Sequence, residues 1–156
     1  TSRTITILSD GTPWRPLIHV MDMARAIEWA VQRTPDHDGG FLAVNVGSNQ
    51  WNYRVHELAR AVAEVVPDVN ISVNPAAPVD SRSYRVDFSL YEKLAPDHQP
   101  RVDLRTAICE LKAGLDAMGF NDANFRSSTY MRLNVLTQLR QKGLLDEALC
   151  WRDRQY

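Results

Sequence analysis

The chain has 156 residues, of which 44% are hydrophobic and 24% are charged, and its formal net charge is −1. This length is sufficient for one domain with a hydrophobic core, and the composition is ordinary for a globular protein. The balanced charge, without a basic block, gives no support for a nucleic-acid partner. No apolar run reaches the ~18 residues of a membrane helix, and no signal-like N-terminus is present, so neither a membrane partner nor export is predicted.

The first residues predict a strand, a turn, a second strand and a helix. Residues 4–8 alternate as a strand does, and Asp10-Gly11 predicts a turn because glycine tolerates positive φ. Pro16 cannot donate to a sheet ladder, so the second strand is predicted to be an edge or irregular strand. Asp22 is predicted to be the N-cap of a helix that ends at residue 32 or 33. The apolar residues of that helix share one face: Met23, Ala24, Ile27 and Val31.

The middle of the chain alternates between strand and helix patterns. Residues 41–46 form a nearly continuous apolar run, which is typical of a buried parallel strand. A polar loop at 48–52 leads into an amphipathic helix that Pro67 ends. Residues 69–74 alternate between apolar and polar side chains, which predicts a half-buried strand with an antiparallel neighbour.

The C-terminal third is predicted to be helical. Asp103 is expected to cap a helix that stops at Gly119. A further helix is predicted from Ser127 or Ser128 to Gly143, and a short closing helix over residues 144–151.

Two cysteines, Cys109 and Cys150, lack the spacing of metal ligands and lie in helical patterns. We expect both thiols to be buried and reduced, which suits a cytoplasmic protein, and we predict no metal site. The chain begins at Thr1 almost directly in a strand pattern, and we expect it to be part of a longer protein.

Arg15 is a lone charge inside an apolar extended run, and its planar guanidinium suits a phosphate better than a lysine would. The alternative is that it pairs with a carboxylate or lies in solvent. Residues 15–24 follow the pattern R-x-x-x-H-V-x-D-x-A, which resembles the extended short-chain dehydrogenase/reductase family of nucleotide-sugar epimerases, dehydratases and reductases. In that family this arginine contacts the substrate diphosphate. Residues 45–47 and 52–59 resemble the N-V-G strand and the helix start that follow.

Residues 80–90 carry the second part of the resemblance, to the family pattern D-x-R-x-Y-x-x-D-x-S-K. Leu90 stands where lysine is common, and the matching positions are Asp80, Arg82, Tyr84, Asp87 and Ser89. An extended backbone would place Arg82 and Tyr84 on one face and Arg85 on the other. This geometry and the family spacing favour Arg82 over Arg85 as the arginine that closes over the substrate phosphates. Salt bridges to Asp80 or Asp87 are the alternative.

Two further positions complete the predicted substrate pocket. The resemblance places Tyr84 and the loop at 48–52, with Asn49, beside the substrate. The predicted substrate-binding residues are therefore Arg15, Arg82, Tyr84, Arg85 and Asn49.

The catalytic motifs of the family are absent from these residues. No G-x-x-G-x-x-G fingerprint occurs, and no tyrosine is followed by a lysine four residues later. In the family that tyrosine is the general acid/base. We therefore predict no catalytic residue here and no activity for this chain alone. The resemblance implies that a parent chain uses NAD or NADP, bound mainly by residues outside this segment.

The resemblance covers residues 10–115 and implies an α/β fold, the C-terminal part of a Rossmann-type nucleotide-sugar epimerase/dehydratase. We expect residues 1–156 to form one substrate-binding segment of short strands and about five helices. The strand at 41–46 expects parallel neighbours, so we predict that it either pairs with another copy, as in a homodimer, or is misplaced.

Two other functions are considered. One is a non-catalytic module that binds or senses a nucleotide sugar. The other is a helix–turn–helix DNA-binding domain around Gly143, with Arg132, Arg140 and Lys142 facing phosphates. The balanced charge argues against the second.

Overall fold

The computed structural model describes residues 2–34, 40–74, 76–77 and 82–152. The fold is α/β, with five α-helices and short strands in small sheets, as the sequence predicts. Residue contacts divide the chain into two compact units, residues 3–119 and residues 120–156 with 1–2.

All the described strands and four of the five described helices lie in the unit of residues 3–119. The strands are β1 (Thr4–Ile7), β2 (Trp14–Pro16), β3 (Asn52–Arg54) and β4 (Asn70–Val73). The helices are α1 (Val20–Gln32), α2 (Val55–Val65), α3 (Ser89–Leu94) and α4 (Leu104–Ala117). Helix α5 (Arg132–Gln141) belongs to the other unit.

Strands β1 and β4 form one two-stranded sheet, in which Thr4 pairs with Asn70 and Ile7 with Val73. The pairing is parallel, so the predicted antiparallel neighbour of β4 is wrong. Alternation of apolar and polar residues indicates which face is buried and carries no information on strand direction. The side chains of β4 are in fact all exposed.

Strands β2 and β3 form a second sheet, which is called the β2–β3 ribbon below. Its antiparallel register pairs Trp14 with Arg54, Arg15 with Tyr53, and Pro16 with Asn52. Pro16 lies in an edge strand, as predicted. Because directly paired residues share a face and successive residues alternate, Trp14 and Arg54 lie on one face of the ribbon and Arg15 on the other.

The N-cap of α1 is His19, and the prediction of Asp22 as the cap is wrong. His19 has extended backbone angles, and its Nδ1 accepts a hydrogen bond from the Met21 N–H at 3.3 Å. The Asp22 carboxylate is buried and accepts the backbone N–H groups of Arg101 at 3.0 Å and Val102 at 3.1 Å. Its oxygens thus tie α1 to the segment before α4, a contact that local sequence cannot indicate.

Residues 41–46 form no strand, so that prediction is also wrong. A parallel strand is stable only between neighbouring strands, and none of the strands in the described ranges runs beside this segment. Val44 and Val46 instead pack against a small core of Ala26, Tyr91 and Ala95. Helix α3, which supplies Tyr91, was not predicted.

The remaining helices of this unit follow their sequence signals. Helix α2 ends just before Pro67, and Asp103 caps α4 by accepting the Thr106 N–H at 2.7 Å. Gly119 follows α4 at a φ of +63°, which suits a glycine stop.

In the unit of residues 120–156, Gly143 ends the turn after α5 at a φ of +69°. The predicted closing helix is wrong, because residues 144–152 form turns and a bridge between Leu145 and Trp151. The helix–turn–helix alternative therefore lacks its second helix.

Cys109 and Cys150 are free and exposed, so the prediction of buried thiols is wrong as well. None of the described helices is long and apolar enough to cross a membrane.

Candidate functional site

The two arginine-bearing segments that the sequence singles out lie against each other. Residues 82–88, called the arginine arm below, contact the β2–β3 ribbon at β2. The Arg15 Nη1 donates to the Arg82 carbonyl at 2.8 Å and to the Trp14 carbonyl at 2.7 Å. The Trp14 N–H in turn donates to the Ser83 Oγ at 3.0 Å. Arg15 therefore joins the ribbon to the start of the arm.

Asn52 holds the middle of the arm. Its side chain is largely buried, and its two amide atoms contact the same residue of the arm. The Nδ2 donates to the Val86 carbonyl at 3.0 Å, and the Oδ1 accepts the Val86 N–H at 2.9 Å. This pair of bonds mimics a strand neighbour, so Asn52 fixes the backbone of the arm without a regular ladder.

The end of the arm is held by Asn49 and by α3. The Asn49 Oδ1 accepts the Phe88 N–H at 2.9 Å, and its Nδ2 donates to the Ser89 Oγ at 3.0 Å. The Asp87 carboxylate accepts the hydroxyl and the N–H of Ser89, and these bonds lower the pKa of Asp87 below its ordinary value. The Phe88 ring is buried against Gly47, where even a single methyl group would lie 2.6 Å from the ring.

Trp14 brings two further guanidinium groups together. The guanidinium carbon of Arg85 lies 4.6 Å from the centre of the Trp14 ring, and that of Arg54 lies 5.0 Å from it. Both distances are within the range of cation–π attraction. Arg54 is the residue paired with Trp14 in the ribbon, so strand register places it there.

The predicted substrate-binding residues thus have four different placements. Arg15 and Arg82 meet through a backbone carbonyl, and Arg85 lies over Trp14 on the arm. Asn49 secures the arm, and Tyr84 is 55% exposed. Asp80, which the resemblance also includes, lies outside the described residues.

Sequence reasoning missed Trp14, Arg54 and Asn52 as parts of this site. Trp14 and Arg54 are forty residues apart, and only the ribbon register brings them together. Asn52 belongs to a segment that resembles the family, but its contact with Val86 spans 34 positions of sequence. No local pattern encodes such pairings.

A separate apolar groove of about 660 Å³ lies between the ribbon and α4. It includes Leu17, Trp51 and Tyr53 from the ribbon side and Leu111 and Leu115 from α4. His19 and Glu110 also line it, with 3.2 Å between Nε2 and Oε2. Burial, with smaller contributions from the carboxylates of Asp103 and Glu57, raises the pKa of Tyr53.

The arginine arm and the ribbon together present guanidinium donors, which bind anions and in particular phosphates. No cluster of three histidine, cysteine or acidic side chains suited to a metal occurs among the residues that the structure describes. The geometry therefore supports binding of an anionic ligand.

Comparison with known proteins gives a match for the N-terminal part of the chain. Comparison with curated proteins gives no match to this chain. Residues 1–47, which include Arg15 and α1, match the family model described as the NAD dependent epimerase/dehydratase family. This N-terminal segment is therefore similar to the NAD-dependent epimerase/dehydratase family, and the match does not extend to residues 48–156.

Proposed function

We propose that this chain holds the diphosphate of a nucleotide-diphosphate sugar, as the substrate-binding C-terminal portion of an NAD(P)-dependent epimerase, dehydratase or reductase. The observation that carries the proposal is the contact between Arg15 and the arginine arm. Two segments that resemble phosphate-binding parts of the family meet there through a hydrogen bond of 2.8 Å.

Each residue has a defined part in the proposed site. Arg15 contributes positive charge and anchors the arm, while Arg82 is the preferred arginine to close over the phosphates and Arg85 the alternative. Asn49 keeps the end of the arm in place through Phe88 and Ser89. Tyr84, which is more than half exposed, is available to line the pocket on the solvent side.

The family implies that a parent chain uses NAD(P), which would accept and return a hydride at the sugar. The described residues offer no strand–turn–helix with the glycine fingerprint, and the sequence lacks the Tyr-x-x-x-Lys pair. This chain thus does not fit the cofactor, and its own part in the reaction is limited to holding and orienting the substrate. We expect it to be inactive alone.

Titration of the 156-residue chain with uridine diphosphate, followed by calorimetry, tests the proposal. Charged hydrogen bonds to phosphate are worth about 1.5–3 kcal/mol, so Arg15→Ala should weaken binding by roughly ten- to a hundredfold. Arg15→Lys keeps the charge but loses the planar fork, and its loss should be smaller.

Two controls accompany this titration. Uridine, which lacks phosphates, should bind much more weakly than uridine diphosphate. Arg60→Ala removes an exposed arginine of α2 and should leave the affinity unchanged. Equal affinity of the wild-type chain and Arg15→Ala for uridine diphosphate would contradict the proposal.

A non-catalytic module that binds or senses a nucleotide sugar is the second candidate, and the missing Tyr-x-x-x-Lys pair favours it. The two candidates predict different coding sequences upstream of Thr1 in the parent gene. A glycine fingerprint and a Tyr-x-x-x-Lys pair encoded in frame upstream of Thr1 would support the enzyme, whereas an upstream region without them would support the module.

A further inference from the structure

We propose that the apolar groove between the β2–β3 ribbon and α4 binds a small organic amine, whose apolar body lies along the groove and whose ammonium group contacts the Glu110 carboxylate. The groove is distinct from the arginine arm, since none of the arm residues lines it. The inference therefore goes beyond the proposed function and does not depend on it.

The walls of the groove are apolar side chains that the described residues leave uncovered. Leu111 of α4 is 66% exposed, and Leu17 on the ribbon side is 39% exposed. The groove volume of about 660 Å³ lies within the range of pockets that hold small molecules. An apolar body placed there removes this surface from water, which favours binding.

Gly114 opens the side of the groove that α4 forms. It lies in the interior of that helix, where glycine is less favourable than alanine because it loses more backbone freedom on folding. An added Cβ at this position would meet no atom within 4 Å, so packing among the described residues does not require a glycine. The missing side chain instead allows a ligand to come close to the helix backbone.

Glu110 brings a negative charge into this apolar groove. Of the described residues that line the groove, Glu110 is the only carboxylate, and none is a lysine or an arginine. No ion pair within the described ranges joins Glu110 to a lysine or arginine side chain. Its contact inside the groove is with His19, whose Nε2 lies 3.2 Å from the Glu110 Oε2.

The cap of α1 prevents the His19 ring from neutralising that charge. The Nδ1 of His19 accepts the Met21 backbone N–H at 3.3 Å, and an N–H group can only donate. Nδ1 therefore carries no proton, and the ring is the uncharged form with its hydrogen on Nε2. The Glu110 carboxylate thus keeps its negative charge, which the ammonium group of a ligand can neutralise.

Two further carboxylates act on the ribbon side of the groove. Burial is the main cause that raises the pKa of Tyr53, and the carboxylates of Asp103 and Glu57 add to it. An anionic ligand would be repelled by these groups and by Glu110, whereas an amine would be attracted. Charge therefore selects an amine among the apolar ligands of suitable size.

The test is calorimetric titration of the 156-residue chain with phenylbutylamine. Two ligands with the same apolar body are the controls: phenylbutanol, which is neutral, and phenylbutyrate, which is anionic. The amine should bind most tightly and the anion most weakly. Glu110→Gln should weaken amine binding about three- to tenfold, because water partly screens a carboxylate that is more than half exposed, and should leave binding of the alcohol unchanged.

Gly114→Leu tests the place of binding. Leucine favours a helix more than glycine does, so this variant should fold, and its side chain should fill the groove and abolish binding of both the amine and the alcohol. The matched control is Ala113→Leu, because Ala113 is the adjacent residue of α4 and does not line the groove. This control should bind the amine as tightly as the wild type does.

Circular dichroism checks that each variant keeps its fold. Wild-type affinity of a folded Gly114→Leu variant for phenylbutylamine would overturn this inference, and so would equal affinity of the wild type for the amine and the anion. Absence of amine binding, with sedimentation of Gly114→Leu shifted toward a smaller species, would overturn it in favour of a second copy of this chain as the occupant. Uridine diphosphate should bind Gly114→Leu as it binds the wild type, so these failures leave the proposed function intact.

Discussion

At the scale of single residues, the site depends on close packing beside the arm as well as on its charges. Gly47 approaches the buried Phe88 ring so closely that an added Cβ would lie 2.6 Å from Cε1. Phe88 in turn is the arm residue whose N–H binds Asn49. A change at Gly47 therefore acts on the arginine arm without touching any arginine.

We expect Gly47→Ala to destabilise the protein by about 1–3 kcal/mol, because the added Cβ overpacks a filled site and because the φ of +155° at Gly47 is one that L side chains rarely adopt. Denaturant unfolding measures this loss, and the matched control is Gly40→Ala, whose Cβ would meet no atom within 4 Å. The double variant Gly47→Ala with Phe88→Leu makes room for the methyl group and should recover part of the stability. Equal stability of Gly47→Ala and Gly40→Ala would disprove this account.

Residue-scale predictions from sequence are right where the cause is local. Asp10 and Gly11 form the expected turn, in which the Asp10 carboxylate accepts the Thr12 N–H at 3.0 Å and Gly11 has a φ of +83°. Asp22 is a residue type that often caps helices, and it precedes an apolar helical pattern. Its oxygens nevertheless accept backbone N–H groups 79 and 80 residues away. These N–H groups come close to Asp22 only in the folded chain, so the local sequence does not reveal them.

At the scale of elements, α4 is the helix whose beginning and end the sequence predicts correctly. Asp103 and Gly119 act through bonds and backbone angles within a few residues of themselves. The run at 41–46 shows the opposite case, because an apolar run forms a strand only if other strands lie beside it. Helix α2 is also predicted correctly, whereas the closing helix predicted at 144–151 does not form.

The cap of α4 predicts a pH dependence. The Thr106 backbone N–H, followed by its hydroxyl, lowers the pKa of Asp103 below its ordinary value of 3.8. A carboxyl with a lowered folded-state pKa stabilises the fold fully above the unfolded pKa, and this contribution is lost as pH falls through the folded pKa. We therefore expect acid to weaken α4 through Asp103.

Asp103→Asn is the matched variant, because asparagine caps a helix as well as aspartate but does not titrate. Unfolding free energies measured from neutral pH down to about pH 2, well below the model-peptide pKa of Asp, should fall less steeply for this variant than for the wild type. Parallel curves would show that Asp103 does not contribute to the acid sensitivity.

At the scale of the whole molecule, large apolar side chains remain exposed on α1. They follow the helical repeat along one stripe: Val20, Met23, Ile27 and Val31. Ile27 is 59% exposed and Val31 is 81% exposed, which is unusual for a stripe with core periodicity. The homodimer predicted from the sequence pairs residues 41–46, so this stripe is a separate surface for self-association.

We expect the chain to self-associate through this stripe. Sedimentation velocity over a concentration series should show a species larger than the monomer, and Val31→Lys should shift the distribution toward monomer because a buried lysine is costly. Lys112→Ala on α4 is a surface control that should have no effect. A monomer at all concentrations would contradict the predicted homodimer.

The bond pair between Asn52 and Val86 has a consequence for how the sequence can vary in length. The Asn52 amide bonds both the N–H and the carbonyl of Val86. The position of the arm along the ribbon is therefore fixed at Val86. A length change before Arg82 then leaves Val86 as the residue that Asn52 holds. Deletion of Arg85 itself would bring Tyr84 next to Val86 and remove the guanidinium from Trp14, so engineered length changes should be tolerated better before Arg82 than at Arg85.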